Sequence, residues 1–120
     1  MKRVIIADPD TAFRKALALL IARKLDIHQI DEAADTGILI QKLSDSCPDL
    51  LLLSWSIHGV PGPETCVLLR NTYPDLKIVL LSLNPEDAKA AHAAGAEFIC
   101  KSASPEETLA VLNSILLNGE

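Results

Sequence analysis

Five short hydrophobic runs alternate along the chain with longer segments in which apolar residues recur every three or four positions. Three runs, at 4–7, 50–53 and 78–81, are continuous, which is typical of parallel strands buried on both faces. The runs at 27–33 and 97–100 are more polar or shorter, and we expect them at the edges of the sheet. The pattern therefore predicts five strands in one parallel sheet.

Helix signals fill the segments between these runs. Two helices are predicted over 35–45 and 63–72, and Asn84 is a candidate cap for an alanine-rich helix that stops at Gly95. The segment after the first run has one apolar stripe with i, i+4, i+7, i+8 spacing. Its members are Phe13, Leu17, Leu20 and Ile21.

The last helix begins with a capping box, in which Ser104 and Glu107 bond each other's backbone amides. Helical spacing predicts a buried face formed by Leu109, Leu112, Ile115 and Leu116. Strands that alternate with helices through short connections predict an α/β fold, a three-layer sandwich with helices on both faces of a doubly wound sheet. At this length we expect the whole chain, 1–120, to form one domain.

The composition narrows the partners of this domain. Aromatic residues are only 3%, so the core must be aliphatic and a platform that stacks nucleic acid bases is disfavoured. The net charge of −5 repels phosphate backbones and anionic membranes. No apolar run approaches the ~20 residues of a membrane span, and the first run is too short for a signal peptide. These features predict a cytoplasmic domain that binds neither nucleic acid nor a membrane.

Cysteine usage agrees with a reducing compartment. Cys47, Cys66 and Cys100 are an odd number, far apart and without a C-x-x-C pair. We therefore expect them to be small buried hydrophobic residues and not a redox or zinc site.

Polar residues directly follow the predicted strands. Because the carboxyl ends of parallel strands meet at one edge of the sheet, where open α/β sheets hold their sites, we expect these side chains to converge in one pocket. They are Asp8 and Asp10 at the first strand, Ser54 and Ser56 at the third, Ser82 at the fourth and Lys101 at the fifth.

Four stretches carry a pattern that one known family has in the same order. Segment 6–10 lies where that family has a strand ending in an acidic pair, and 48–62 lies over its P-D-L-hydrophobic-D-x-x-M-P-G stretch. Segment 80–82 matches its fourth strand with a Ser/Thr switch residue, and 95–101 matches its fifth strand with a lysine. The sequence resembles the receiver domain of bacterial response regulators over essentially its whole length. This resemblance implies a flavodoxin-like sheet with strand order 2-1-3-4-5.

The resemblance also implies a mechanism, from which this chain departs. In the family, a carboxylate at the end of the third strand accepts a phosphoryl group from phosphohistidine, and Mg²⁺ bound by the acidic residues neutralises the phosphoryl oxygens. Here Ser54 stands at the acceptor position and Pro9 at one position of the acidic pair. We therefore expect a degenerate pseudo-receiver with no catalytic residue, cofactor or metal site, in which Mg²⁺ binding is lost or weak.

Two alternatives remain open at this point. A receiver phosphorylated at an unusual acceptor would use Asp10 or Ser54. A flavodoxin-like small-molecule binding module would use the same crevice, although no glycine-rich phosphate loop follows the first strand.

Several pocket residues have expected structural roles. Asp8 and Lys101 are expected to form a buried ion pair, because an unpaired buried lysine is costly. Asp10 is placed to cap the first helix, and the Ser82 hydroxyl is expected to bond nearby backbone. His58 has no second histidine at ligand spacing, so we expect it to be a solvated loop residue.

The expected partners are proteins. Trp55 and Phe98 are candidates for covering the pocket or for contacting a partner. The resemblance implies a contact face formed by the fourth helix, fifth strand and fifth helix, used by a histidine kinase, an output domain or a second copy of the chain in a homodimer. The alanine-rich fourth helix would present a smooth surface to such a partner.

Overall fold

Strands and helices alternate throughout residues 2–117, the part of the chain that the computed structural model describes. A single 3₁₀ turn, Pro85–Asp87, interrupts this alternation before the fourth helix. The elements are β1 (Arg3–Ala7), α1 (Thr11–Lys24), β2 (Gln29–Ala33), α2 (Thr36–Asp45), β3 (Leu50–Ser54), α3 (Gly62–Thr72), β4 (Lys77–Ser82), α4 (Ala88–Ala93), β5 (Glu97–Cys100) and α5 (Pro105–Leu117).

All five strands pair in parallel in the order β2-β1-β3-β4-β5. This confirms the predicted fold class, the flavodoxin-like strand order and the placement of the two less apolar runs at the edges. The central strands β1, β3 and β4 are buried almost throughout, whereas β2 has only one buried residue. Polar side chains at the carboxyl ends of these central strands are therefore brought to one edge of a rigid, dry sheet.

Two hydrophobic clusters form, one on each face of the sheet. Leu51 and Leu53 of β3 point into the cluster that contains the buried side chains of α2 and α3. Leu50 and Leu52 point into the cluster that contains the buried side chains of α1 and α5. Because successive strand residues face opposite sides, a strand covered on both faces needs an unbroken apolar run. Burying each such leucine stabilises the fold by about 1.5–3 kcal/mol.

Side-chain caps begin the helices near the predicted site. Asp10 Oδ1 accepts a hydrogen bond from the Phe13 amide at 3.2 Å, so its expected role as the N-cap of α1 is confirmed. The capping box of α5 is also confirmed, because the Ser104 amide donates to Glu107 and the Glu107 amide donates to the Ser104 hydroxyl, each at 3.1 Å. These hydrogen bonds hold the pKa of the Glu107 carboxyl below its usual value.

The start of α4 differs from the prediction. The Asn84 side chain makes no capping bond; its amide instead donates to the Ser82 hydroxyl at 3.1 Å, and the 3₁₀ turn follows. The regular part of α4 is consequently only six residues long. The chain leaves the helix through Gly95, whose φ of 86° lies in the left-handed region that favours glycine.

Two burial predictions were wrong. Of the predicted buried face of α5, Leu112 is fully buried and the half-buried Ile115 and Leu116 pack against the same cluster, whereas Leu109 is half-buried outside it and Thr108 is buried instead. Cys47 is exposed, since it lies in the loop between α2 and β3; Cys66 is buried and Cys100 is half-buried. Burial raises the pKa of the Cys66 thiol. Within residues 2–117, no helix has both the length and the apolar character needed to cross a membrane.

Candidate functional site

Asp8, Ser54 and Lys101 meet where β1, β3 and β5 end. The Lys101 Nζ lies 2.6 Å from Asp8 Oδ2 and 3.4 Å from Ser54 Oγ. Asp8 and Ser54 are both completely buried, and the Lys101 side chain is 14% exposed. The structure therefore shows the predicted ion pair and places the Ser54 hydroxyl beside it.

The carboxylate and the backbone groups of Asp8 all contact partners within the protein. Its Oδ1 accepts the Asp10 amide at 2.8 Å, and Oδ2 contacts Lys101. Its amide donates to the Ala33 carbonyl at 2.9 Å, and its carbonyl accepts from Arg14 Nη1 at 2.5 Å. Oδ2 accepts no hydrogen bond within residues 2–117, so the ion pair with Lys101 is what compensates the buried charge at that oxygen.

The Phe13 ring covers the ammonium group of Lys101, with 4.7 Å between Nζ and the ring centroid. A cation over an aromatic face is favourable by about 0.5–2 kcal/mol, more when it is shielded from water. The backbone amide of Lys101 donates to the Ser82 carbonyl at 2.8 Å. Lys101 is therefore held by its carboxylate partner, by an aromatic ring and by the backbone of β4.

The serines at the end of β3 bond one another locally. Ser54 Oγ accepts the Ser56 amide at 3.2 Å and lies 3.3 Å from the hydroxyl of the exposed Ser56. The amide of the half-buried Trp55 donates to the Leu81 carbonyl at 2.8 Å. Trp55 and Phe98 both pack against the hydrophobic cluster on the α2–α3 side, whereas the ring over Lys101, Phe13, belongs to the opposite cluster.

The Ser82 hydroxyl has two partners. It accepts the Asn84 amide at 3.1 Å, which is the backbone partner expected from the sequence. It also donates to Asp87 Oδ2 at 2.6 Å. Asp87 belongs to the 3₁₀ turn ahead of α4, so this bond fixes the start of that helix to the end of β4.

Glu32 on β2 pairs with two basic side chains near the start of α1. Arg14 Nε and Lys15 Nζ lie 3.0 Å and 2.9 Å from its two oxygens. Burial raises the pKa of Glu32, but the hydrogen bonds and positive charges of Lys15 and Arg14 outweigh burial and hold it below its usual value. Because Arg14 also bonds the Asp8 carbonyl, Glu32 supports the edge of the pocket.

The residues of this pocket do not fit a Mg²⁺ ion. Magnesium is usually held through one or two free carboxylates. Here Asp8 is neutralised by Lys101, and the carboxylate of the exposed Asp10 caps α1. Across residues 2–117, no cluster of three or more His, Cys, Asp or Glu side chains is placed to hold a metal. His58 is exposed in the loop after β3, as expected, and its carbonyl accepts the Thr36 amide at 3.0 Å.

Sequence reasoning missed three residues of this site: Phe13, Arg14 and Asp87. Phe13 was assigned only to the apolar stripe of α1, because helical spacing does not show that its ring reaches Lys101 at the end of β5. The acidic position five residues after Ser82 was a usable signal for Asp87, since a short turn there returns the chain to the strand end.

Comparison with known proteins places this geometry in a family. The response regulator receiver domain family matches residues 4–113. Response regulator UvrY of Escherichia coli (strain K12) is 24% identical over 118 residues, which cover 96% of this chain and 54% of UvrY. The oxygen regulatory protein NreC of Staphylococcus haemolyticus (strain JCSC1435) is 25% identical over 117 residues, 94% of this chain and 54% of NreC. The chain thus spans about half the length of these curated relatives.

Solved structures show the same fold. A LuxR-family two-component response regulator from Aurantimonas sp. SI85-9A1 superposes with a TM-score of 0.87 at 24% identity, covering 96% of this chain and 84% of that one. A CheY-like receiver domain protein from Methanospirillum hungatei JF-1 also gives 0.87, at 21% identity and with 99% and 96% covered. Because the family match runs from β1 into α5, over residues 4–113, the chain belongs to the response regulator receiver domain family of two-component signalling.

Proposed function

We propose that this domain is an atypical receiver that signals by protein–protein contact without phosphorylation of an aspartate. The observation that carries the proposal is the buried Asp8–Lys101 pair beside Ser54 at the end of β3. An alcohol cannot form the acyl phosphate that a carboxylate forms. The position that accepts the phosphoryl group in the family therefore lacks, in this chain, the carboxylate that this chemistry needs.

Electrostatics support the same conclusion. One carboxylate and one ammonium group 2.6 Å apart cancel at the centre of the pocket, so little net charge remains there to attract a divalent cation. A phosphoryl group on Ser54 would in addition have to enter a fully buried position. We propose that the pocket is held in one state by the ion pair and that no catalysis takes place in it.

We further propose that the readout surface is the face formed by α4, β5 and α5. Leu83, which follows β4, is 70% exposed and lies next to this face in the chain. Ala90 and Ala93 of α4 are exposed and leave a smooth surface on which another helix could pack closely. The proposed partners are a histidine kinase, an output domain or a second copy of the chain, and the proposed location is the cytoplasm. We treat 1–120 as one domain that contacts neither nucleic acid nor a membrane.

The test is intact mass after incubation with acetyl phosphate and Mg²⁺, with Trp55 fluorescence followed in parallel. We expect no gain of a phosphoryl group and no saturable fluorescence change at low millimolar Mg²⁺. A mass gain that disappears in Asp10→Asn or Ser54→Ala would replace the proposal with the unusual-acceptor alternative. Membership of the receiver family favours a signalling role over the small-molecule binding module considered from the sequence, and a bound chromophore in the purified protein would reverse that preference.

A further inference from the structure

A cavity of about 390 Å³ runs along α1 and faces the start of α5. Its volume lies within the ~300–1,000 Å³ of small-molecule sites. Phe13, Leu17 and Leu20 form its wall on α1, and Ile99 and Ala103 line the side towards β5 and α5. The lining is thus mainly hydrocarbon, which suits an apolar ligand body. The cavity adjoins the Asp8 pocket through Lys101, which lines both, although neither Asp8 nor Ser54 lines the cavity.

The end of the cavity that lies beside the last turn of α1 is cationic. Arg23 and Lys24, in the last turn of α1, line it and are exposed. Neither side chain has an ion pair or a hydrogen bond to any group within residues 2–117. Basic residues at a helix C-terminus complement the helix dipole, which accounts for their charge but not for the apolar cavity that ends at them. Lys101 also lines the cavity, but it is already paired with Asp8. An apolar channel that ends at two cations without a partner among residues 2–117 is complementary to an amphiphilic anion.

The shape of the cavity narrows the class of ligand. The lining on α1 extends from Phe13 to Lys24, which at 1.5 Å per residue is about 16 Å. We propose that this cavity binds a medium-chain carboxylate, with the acyl chain between α1 and α5 and the carboxylate on Arg23 and Lys24. The inner end of the chain lies against Phe13, the ring that covers Lys101. This site goes beyond the proposed signalling function and does not depend on it.

The test is isothermal titration calorimetry of the full chain with decanoate, kept below its micelle concentration. We expect saturable one-to-one binding that is roughly tenfold tighter than that of octanoate, because two more methylenes are buried. Decyltrimethylammonium, which has the same chain and the opposite charge, is expected to bind at least tenfold more weakly than decanoate.

Two variants with matched controls locate the site. Ala16→Phe fills the cavity from an exposed position of α1 and should abolish binding, whereas Ala22→Phe, on an exposed part of the same helix outside the cavity, should leave it unchanged. Arg23→Gln combined with Lys24→Gln should weaken decanoate at least tenfold. Lys89→Glu changes the net charge by the same amount on α4 and should not weaken it.

Either of two results would overturn the proposal: no saturable heat with decanoate, or equal binding of the anionic and cationic amphiphiles. Loss of binding in Ala16→Phe counts as evidence for the site only if its urea denaturation matches that of Ala22→Phe. If it does not match, the affinity of the variant with both Arg23→Gln and Lys24→Gln decides whether the site is where we propose. Because no arm of the experiment involves phosphorylation, its failure would leave the proposed signalling function standing, and a gain of phosphate by the chain would leave this site standing.

Discussion

The Lys101 ammonium lies 2.6 Å from a carboxylate oxygen of Asp8, which has no exposed surface at all. Asp8 follows β1 and Lys101 follows β5. In the sheet, β1 and β5 are separated by two strands, β3 and β4. The pair therefore connects strands that share no backbone hydrogen bonds, and it passes over the end of β3 at Ser54. A contact of this kind fixes the relative position of the strand ends from which the site is built.

Lys101→Met should destabilise the fold by about 3 kcal/mol, because it leaves the Asp8 carboxylate buried without its counter-charge. Urea denaturation followed by circular dichroism measures this loss as a lower midpoint with an unchanged slope. Asp8→Asn combined with Lys101→Met should recover most of it, since no uncompensated charge remains in the double variant.

Lys15→Met is the matched control for that variant. Lys15 also pairs with a carboxylate, Glu32, but its side chain is 68% exposed. Breaking such a surface pair should cost less than about 1 kcal/mol. Equal losses in Lys101→Met and Lys15→Met would contradict the view that the buried pair locks the pocket.

Ser54→Asp should create sensitivity to Mg²⁺. The change buries a second carboxylate near Asp8, and Lys101 can neutralise only one of the two, so stability without metal should fall by on the order of 3 kcal/mol. Low millimolar Mg²⁺ should restore much of the loss and change the fluorescence of the adjacent Trp55. Urea midpoints measured with and without Mg²⁺ give the effect directly.

Ser54→Asn controls for side-chain size, because asparagine has nearly the shape of aspartate without its charge. It should show no response to Mg²⁺. If Ser54→Asp were equally indifferent to the metal, the substitution at this position would not be what removes Mg²⁺ binding, and the cause would have to lie in the ion pair or at Pro9.

The fold could be predicted from the sequence because its strongest signals are the most heavily buried elements. Leu50–Leu53 is apolar at every position because β3 is covered on both faces, which is typical of a buried parallel strand. The beginning of α4 escaped prediction for the opposite reason. Its conformation depends on the Ser82–Asp87 hydrogen bond between a strand end and a turn, which local helix signals at Asn84 do not report.

The convergence of Asp8, Ser54 and Lys101 was predictable because parallel strands bring their carboxyl ends to one edge. Side chains that enter the site from helices were not predictable in the same way. Phe13 and Arg14 reach it only through the angle at which α1 crosses the sheet, and that angle is set by packing and not by sequence spacing.

Gly62→Ala should destabilise the protein by about 1–3 kcal/mol through a backbone clash near the site. A Cβ at Gly62 would lie 2.5 Å from the Ser54 carbonyl oxygen and 2.9 Å from the Trp55 Cα, so the β3–α3 connection must move. Gly37→Ala is the control, because its nearest contact would be the Asp35 side chain at 3.3 Å; it should stay within about 1 kcal/mol of the parent. Thermal unfolding of the two variants should give a lower midpoint for Gly62→Ala than for Gly37→Ala. Equal midpoints would show that the β3–α3 connection can move at little cost in stability.

Stability should fall as the solution is acidified through the titration of Glu32. Its pKa in the folded chain lies below the ordinary value of 4.5, because Lys15 and Arg14 favour the charged form. The stabilisation, on the order of 1 kcal/mol for a partly exposed pair, is therefore fully present above pH ~4.5 and is lost as the pH falls through the folded-state pKa. Urea midpoints between pH 7 and 3 should show a shallower acid decline for Glu32→Gln than for the parent. Glu97→Gln, at an exposed position without an ion pair among residues 2–117, should follow the parent curve, and a decline in Glu32→Gln as steep as in the parent would assign the acid sensitivity to other carboxyls.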